Sequence, residues 1–208
     1  MVPRSSQRRG PIRIGQGRDT DLARRSRGLE QRQTVLVATN GTRTEVQYFD
    51  SLRQESWVRP GRIAVVCING SPVDLIKEVS RRMRRDDYDA AWAVCDVDSF
   101  SVTDAARVAR EEGVALVWSN PCFEVWLTMH FDNCTAYVED ARRAEALLKR
   151  CLPHWDKANL RFGDFRNGVF EAARRAERLG PDPDNNPSSG VWRIIQAIKS
   201  TDADDFAQ

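Results

Sequence analysis

The chain has 208 residues, of which 41% are hydrophobic and 30% charged, and its formal net charge is only +2. This length is enough for one domain with a buried core, and no apolar run approaches the roughly 18 residues of a membrane span. The arginine-rich N-terminus also lacks the apolar segment of a signal peptide, so we expect a soluble cytoplasmic protein.

The first 33 residues form a basic segment. They contain nine arginines and three acidic residues, a net charge of +6, which leaves −4 for the rest of the chain. With so few apolar residues this segment cannot offset the entropy lost on ordering, so we predict a flexible arm or one that docks on a partner. Binding to nucleic-acid phosphates and a solvated tail without function are both open interpretations.

From residue 34 the sequence alternates between strand and helix patterns. "TVLVATN" predicts a first strand, and residues 44–56 follow with helical spacing of apolar residues. Three more apolar runs predict strands, and helical segments separate them: strands at 61–69, 89–98 and 114–120, helices near 73–86 and 103–112. Apolar strands alternating with helices indicate an α/β fold with a parallel-type sheet flanked by helices.

The second half of the predicted domain, residues 121–208, has no equally good strand. Its pattern predicts mainly helices, at 122–131, 138–151, 168–179 and 190–200, with a loop at 180–189. Residues 34–208 therefore form one domain, with an α/β core at 34–120 and a helical C-terminal half.

Polar residues lie where the sheet rule places function, beyond the carboxyl ends of the strands. Asn40 follows the first strand, and Glu45 comes a few residues later. Asp96 and Asp98 end the third predicted strand, and Glu124 follows the fourth. Converging carboxylates suit Mg²⁺, which prefers oxygen ligands.

Each of these residues also has a purely structural interpretation. Glu45 could form a capping box with Thr42, and the two aspartates could be turn residues that cap the next helix. "SNPCFE" is a good helix start, with Asn120 as N-cap, Pro121 at the first position and Glu124 in the first turn. Spacing alone leaves both interpretations open.

A family resemblance adds to these patterns. "TNGTRTEVQYFDSLR", "WAVCDVDSF" and "SNPCFEVWLTMHF", followed by "HWDK" and "NPSSGVWRII", resemble the RloB-like family over roughly residues 34–200. The S-N-P-C-F-E-x-W block is the most specific part. That family includes the second component of the AbiL abortive-infection system and is regarded as carrying a topoisomerase-primase (Toprim) type domain.

The resemblance implies roles for particular residues. In Toprim-like domains a Glu after the first strand, in an E-G-x-x-T-E setting, works with a later D-x-D on Mg²⁺ and phosphodiesters. Glu45 matches the second acid of that setting, and Asp96 and Asp98 match the D-x-D, so these three are the implied ligands of Mg²⁺ or Mn²⁺. Asn40 stands in the place of the first Glu. An amide has no charge and no titratable proton, so we expect weaker metal binding and no proton transfer there.

The resemblance therefore implies an anti-phage defence effector that is a Mg²⁺-dependent nuclease acting on DNA or RNA, with an ABC/AAA-type ATPase partner. Lys157 resembles the family's Lys after an aromatic residue and could reach a phosphate, although a solvated loop lysine is equally compatible. The full candidate catalytic set is Asn40, Glu45, Asp96, Asp98, Glu124 and Lys157.

Two other function classes stay open. One is a non-catalytic subunit of a defence complex, in which the sheet is a scaffold and the chain binds nucleic acid or the ATPase. The other is a sensor that binds a phosphate ligand without cutting, which a pocket rimmed by Lys157 and Arg side chains would favour. The sequence is compatible with a homo-oligomer and does not fix the oligomeric state.

Several other notable residues are predicted to be structural. His130 lies at helical spacing on an apolar segment, which favours a core histidine over a catalytic one. "RRMRR" at 81–85 is a helix-end charge cluster that complements the helix dipole. The tryptophans lie within apolar runs and are predicted to be core residues: Trp92, Trp118 and Trp126.

Overall fold

The computed structural model describes residues 34–58, 61, 63–97, 101–180 and 182–199. The predicted basic arm at 1–33 and the candidate ligand Asp98 lie outside the described residues. The described part contains a five-stranded, mostly parallel sheet and seven α-helices. The predicted α/β fold is therefore confirmed.

Four parallel strands form the body of the sheet. They are β1 (Val35–Thr39), β2 (Ile63–Cys67), β3 (Ala90–Asp96) and β4 (Ala115–Asn120), in the order β2-β1-β3-β4. Every residue of β1 is buried, as expected for a central strand with both faces covered.

A fifth strand, β5, corrects the prediction of a plain loop at 180–189. It consists of Ser188–Ser189 and pairs antiparallel with the end of β4. A two-residue strand of serines carries no alternation of apolar and polar residues, so its pattern gave no signal.

Three helices belong to the first half: α1 (Thr44–Leu52), α2 (Pro72–Asp86) and α3 (Val102–Glu112). The prediction of helix to residue 56 was too long, because the residues after α1 form turns. A capping box between Ser71 and Asp74 begins α2. Gly113 ends α3 with φ 69°, a left-handed conformation that glycine adopts without strain.

Four helices follow β4, as the sequence predicts. They are α4 (Phe123–Thr128), α5 (Ala141–Cys151), α6 (Val169–Leu179) and α7 (Val191–Ile198), with two short 3-10 turns at 162–164 and 166–168. The side chain of Asp140 caps α5, which explains why that helix begins later than predicted. Among the helices in the described ranges, none has both the length and the apolar composition needed to cross a membrane.

The sheet separates two hydrophobic cores. One lies under α2 and α3 and includes Trp118, which is 3% exposed. The larger one contains apolar residues of α1 and of the C-terminal helices and includes the fully buried Trp126, with Trp92 packed against it. Trp118 and Trp126 are core residues, as predicted, whereas Trp92 is only partly buried.

The arginine cluster on α2 is largely neutralised by ion pairs. Arg81 and Arg82 pair with Glu78, and Arg84 pairs with Glu112 across the interface with α3. Arg84 and Arg85 also lie in the last turn of the helix, where cations complement the dipole.

Candidate functional site

The candidate residues meet at the carboxyl edge of the sheet. Asn40 directly follows β1, and its backbone N–H donates to the carbonyl of Val94 on β3 at 3.4 Å. Asp96 is the last residue of β3 and pairs with Ser119 of β4. At this edge lies a cavity of about 510 Å³, lined by residues 40–45, Asp96, Lys157 and Ala158. The parallel topology thus brings the ends of β1 and β3 to one pocket.

Glu45 lies in the first turn of α1 and is only 8% exposed. Its carboxyl group folds back over Gly41, where an added Cβ would overlap it. The proposed capping box with Thr42 is wrong, because the N-cap residue is Arg43 and no side chain caps this helix. The absence of a side chain at Gly41 therefore makes room for the carboxyl group of Glu45 beside the cavity.

Glu124 is the most deeply buried of the candidate acids described, at 2% exposure in the first turn of α4. Its Oε1 lies 2.7 Å from Nζ of Lys157. The helix begins at Phe123 with Cys122 as N-cap, so the prediction of Asn120 as N-cap was wrong; Asn120 ends β4 instead. The extended backbone through this segment continues the strand and delays the helix.

Lys157 belongs to the loop after α5, which two residues of α1 hold in place. Thr44 Oγ1 donates to the carbonyl of Lys157 at 3.3 Å. Gln47 donates to the carbonyl of Ala158 at 3.2 Å and accepts from the N–H of Leu160 at 2.7 Å. The role of Gln47 could not be predicted, because a glutamine within a helix gives no local signal of a partner more than 100 residues away.

The carboxylates perturb one another. Burial raises the pKa of Asp96 well above its ordinary value, and the charges of Glu45 and Glu124 raise it further, whereas Lys157 and the backbone N–H of Phe123 lower it. Burial also raises the pKa of Glu45; its own backbone N–H lowers that pKa, Glu124 raises it and Lys157 lowers it. Both carboxyl groups therefore hold their protons more tightly than exposed ones, and Lys157 offsets only part of what raises their pKa values.

Lys157 is the cation that acts on this acidic group. Burial alone would lower the pKa of Lys157, but its hydrogen bond to Glu124 and the nearby negative charges raise it above the ordinary value. The lysine is therefore held in its charged form. Lys157 is an exposed loop lysine, as one interpretation has it, but its ammonium group also pairs with a buried carboxylate.

The structure brings together most of the candidate set. Asn40, Glu45, Asp96 and Lys157 line one cavity, and Glu124 joins them through its ion pair with Lys157. Asp96 does not cap the next helix, because Ser101 does so.

A metal ligand set is not fully assembled in the described residues. Within them, no group of three or more histidine, cysteine, aspartate or glutamate side chains is arranged to hold a metal ion. Oxygen donors with raised pKa values nevertheless fit a hard cation bound by one or two carboxylates, with waters and substrate oxygens as the remaining ligands. The donor chemistry of Glu45 and Asp96 is compatible with Mg²⁺ on that basis.

His130 is a core residue and does not line the cavity. Its Nδ1 lies 3.0 Å from the carbonyl oxygen of Trp126, and its Nε2 lies 3.0 Å from the hydroxyl of Tyr48. A carbonyl oxygen only accepts, so Nδ1 carries the proton and Nε2 accepts from Tyr48. Burial lowers the pKa of His130 to about 4, which keeps the ring neutral.

Two of the motifs that the sequence analysis singled out lie side by side. Ser119 and Ser189 approach to 3.0 Å between their hydroxyl oxygens, and the amide of Asn186 donates to Asn120 at 3.3 Å. Asn186 also bonds the backbone N–H and carbonyl of Val138. The "NPSSG" segment therefore fastens the end of β4, from which the chain enters α4 and Glu124.

The chain was compared with curated proteins, with solved structures and with protein-family models. A comparison with curated proteins and one with solved structures found no match. The family model described as RloB-like protein matches residues 35–198, a range that contains every described residue of the site. The chain therefore belongs to the RloB-like family.

Proposed function

We propose that this protein is a metal-dependent nuclease that cleaves phosphodiester bonds in DNA or RNA and serves as a cytoplasmic effector of anti-phage defence. The observation that carries the proposal is the acidic site at the carboxyl edge of the sheet. Glu45, Asp96 and Glu124 come from three different elements, and Lys157 from a fourth segment. Such convergence of charged groups in a cavity is typical of a catalytic site.

The residues fit Mg²⁺ or Mn²⁺ as the cofactor. Glu45 and Asp96 would hold the cation, and Asp98, which lies outside the described residues, is the third proposed ligand. A bound divalent cation would supply a more acidic water and compensate charge on the phosphate. Its positive charge would also oppose the burial and the carboxylate repulsion that raise the pKa of Asp96.

The chain's own residues have separate parts in this chemistry. A carboxyl group with a raised pKa, such as that of Glu45, is better able than an ordinary one to exchange a proton near neutral pH. Glu124 fixes the ammonium group of Lys157 beside the cavity, where it offsets negative charge on a phosphate. Asn40 can orient a ligand through its amide but cannot carry a proton.

The second candidate is a non-catalytic subunit that binds nucleic acid or an ATPase. Asn40 favours it, because the position where Toprim-like domains carry a catalytic Glu lacks a charge. Family membership also supports the proposal of an ABC/AAA-type ATPase partner that controls either form of the protein.

The deciding experiment measures cleavage of plasmid DNA and total transfer RNA in Mg²⁺ and in Mn²⁺. The parent, Asp96→Asn, Asn40→Glu and the matched control Glu139→Gln, an exposed acid of a loop, are compared. Cleavage by the parent and by Glu139→Gln that is lost in Asp96→Asn supports the nuclease. Cleavage by Asn40→Glu alone indicates a nuclease disabled at Asn40. If no variant cleaves, with or without the ATPase partner, the nuclease proposal is contradicted and the binding subunit is favoured.

A further inference from the structure

Arg43 is one of the residues that line the acidic cavity. It is the residue before α1, and its side chain is exposed. Arg43 makes neither an ion pair nor a side-chain hydrogen bond with any residue in the described ranges. It is therefore a cation at the pocket whose charge is available to a ligand.

One other cation of the described residues lines the cavity. Lys157, the other cation that lines the cavity, lies 2.7 Å from Glu124. The two cations at this cavity thus differ: Lys157 already pairs with a carboxylate of the protein, which a phosphate would have to share, whereas Arg43 has no such partner among the described residues.

A polyanion that enters this cavity meets unfavourable charge. In their ionised forms Glu45, Asp96 and Glu124 repel phosphates, so a cation that contacts the incoming backbone offsets the repulsion. A guanidinium group is suited to this because its fork of N–H donors matches two oxygens of one phosphate. An arginine engaged with a carboxylate would first have to give up that partner.

We propose that Arg43 is a substrate-binding residue that binds a backbone phosphate of the nucleic acid at the entrance of the acidic cavity. This inference rests on the proposed function and names the residue that contacts the substrate. Thr42 and Thr44, its neighbours in the cavity wall, tie this contact to the start of α1 and hence to Glu45. The phosphate held by Arg43 is therefore next to the carboxylates.

The test measures binding in EDTA, so that it depends neither on cleavage nor on the metal. Fluorescein-labelled duplex DNA and transfer RNA are titrated with the parent, Arg43→Ala and the matched control Arg142→Ala at several KCl concentrations. Arg142 is an exposed arginine of α5 that does not line the cavity. Thermal unfolding of each variant verifies that the fold is retained.

We expect Arg43→Ala to weaken binding about tenfold at low salt and to reduce the salt slope by about 0.7 to 0.9, the loss of one phosphate contact. Arg142→Ala should stay near the parent. Equal effects of the two variants, or no binding of either probe by the parent, would overturn the inference. ATP is a further probe: ATP binding that depends on Arg43, with nucleic-acid binding unaffected, would also overturn it in favour of a nucleotide sensor.

The experiments distinguish a failure of this inference from a failure of the proposed function. If the parent cleaves nucleic acid but Arg43→Ala binds it normally, only the inference about Arg43 fails. If Arg43→Ala binds more weakly but no variant cleaves, the phosphate contact stands and the nuclease proposal fails.

Discussion

Replacing Lys157 by methionine removes the ammonium group and keeps an apolar side chain of similar length. Glu124, with only 2% of its surface exposed, then loses the cation that lies 2.7 Å from its carboxylate. Lys157 also lowers the pKa values of Glu45 and Asp96, so its loss should raise both further. We expect lower stability at neutral pH, because buried negative charge remains without compensation.

The expected loss of stability in Lys157→Met lies between two limits. Breaking a fully buried ion pair costs about 3 to 5 kcal/mol, whereas an exposed pair contributes about 0.2 to 1 kcal/mol. The Glu124 side chain is 3% exposed, but that of Lys157 is 61% exposed and screened by water. We therefore expect Lys157→Met to lower the free energy of unfolding by about 2 kcal/mol at neutral pH. The part of the loss that comes from Glu45 and Asp96 should shrink as the pH falls, because their raised pKa values let them take up protons early.

A double-mutant cycle in urea checks this expectation. The free energies of unfolding of the parent, Lys157→Met, Glu124→Gln and the double variant give the coupling between the two side chains. Lys149→Met is a matched control, because Lys149 pairs with Glu145 in an exposed pair on α5 and should cost less than about 0.5 kcal/mol. If Lys157→Met lowers the free energy of unfolding by the same amount in the parent and in the Glu124→Gln variant, the reasoning is refuted.

Three further predictions follow from contacts around the site and the core. Gly41 has no left-handed φ but lies against the carboxyl group of Glu45. Gly41→Ala should therefore change the free energy of unfolding by less than about 1 kcal/mol, yet lower any cleavage rate about 100-fold because it displaces Glu45. A normal cleavage rate in this variant would contradict the prediction. Gln47→Ala should lower the free energy of unfolding by about 1.5 kcal/mol and speed hydrogen exchange in residues 156–161, because the backbone N–H of Leu160 loses its acceptor. The control is Gln54→Ala, which removes a hydrogen bond within its own helical turn. Burial lowers the pKa of His130 from 6.5 to about 4. The stability that the neutral ring contributes should therefore be lost as the pH falls from 6.5 towards 4, by at most about 3 kcal/mol. In urea unfolding at a series of pH values, His130→Gln should lack this part of the decline, and a decline equal to that of the parent would contradict the prediction.

The strands and most helices could be predicted because their residues carry strong local patterns. β1 is a short apolar run with turn residues beyond it, and α2 combines apolar spacing with a capping box at Ser71. Errors occur where tertiary contacts decide. The helix predicted from residue 122 to 131 shortens to Phe123–Thr128, and Ser188–Ser189 becomes a strand through pairing with β4. Neither change has a signal in the local sequence.

The site was predictable in part, because strand ends and motifs mark its acids. The position of Asn40 and Asp96 follows from parallel strands that end at one edge. The partner of Glu124 does not, since Lys157 reaches it from a loop that Gln47 and Thr44 hold against α1. Contacts between such distant positions depend on the packed C-terminal half, and the spacing of residues within one segment cannot indicate them.

The amide at Asn40 is consistent with the electrostatics of the pocket. The pKa values of Asp96 and Glu45 are already raised by burial and by neighbouring carboxylates, and Lys157 offsets only part of the negative charge. A glutamate at position 40 would add another negative charge to the lining of the same cavity, and without a bound cation it would raise those pKa values further. Asn40 keeps an oxygen at this position while adding no charge. In the proposed metal site, Asn40 would therefore favour the metal-free form over tight divalent binding, and the comparison of cleavage by the parent and by Asn40→Glu tests the consequence of this.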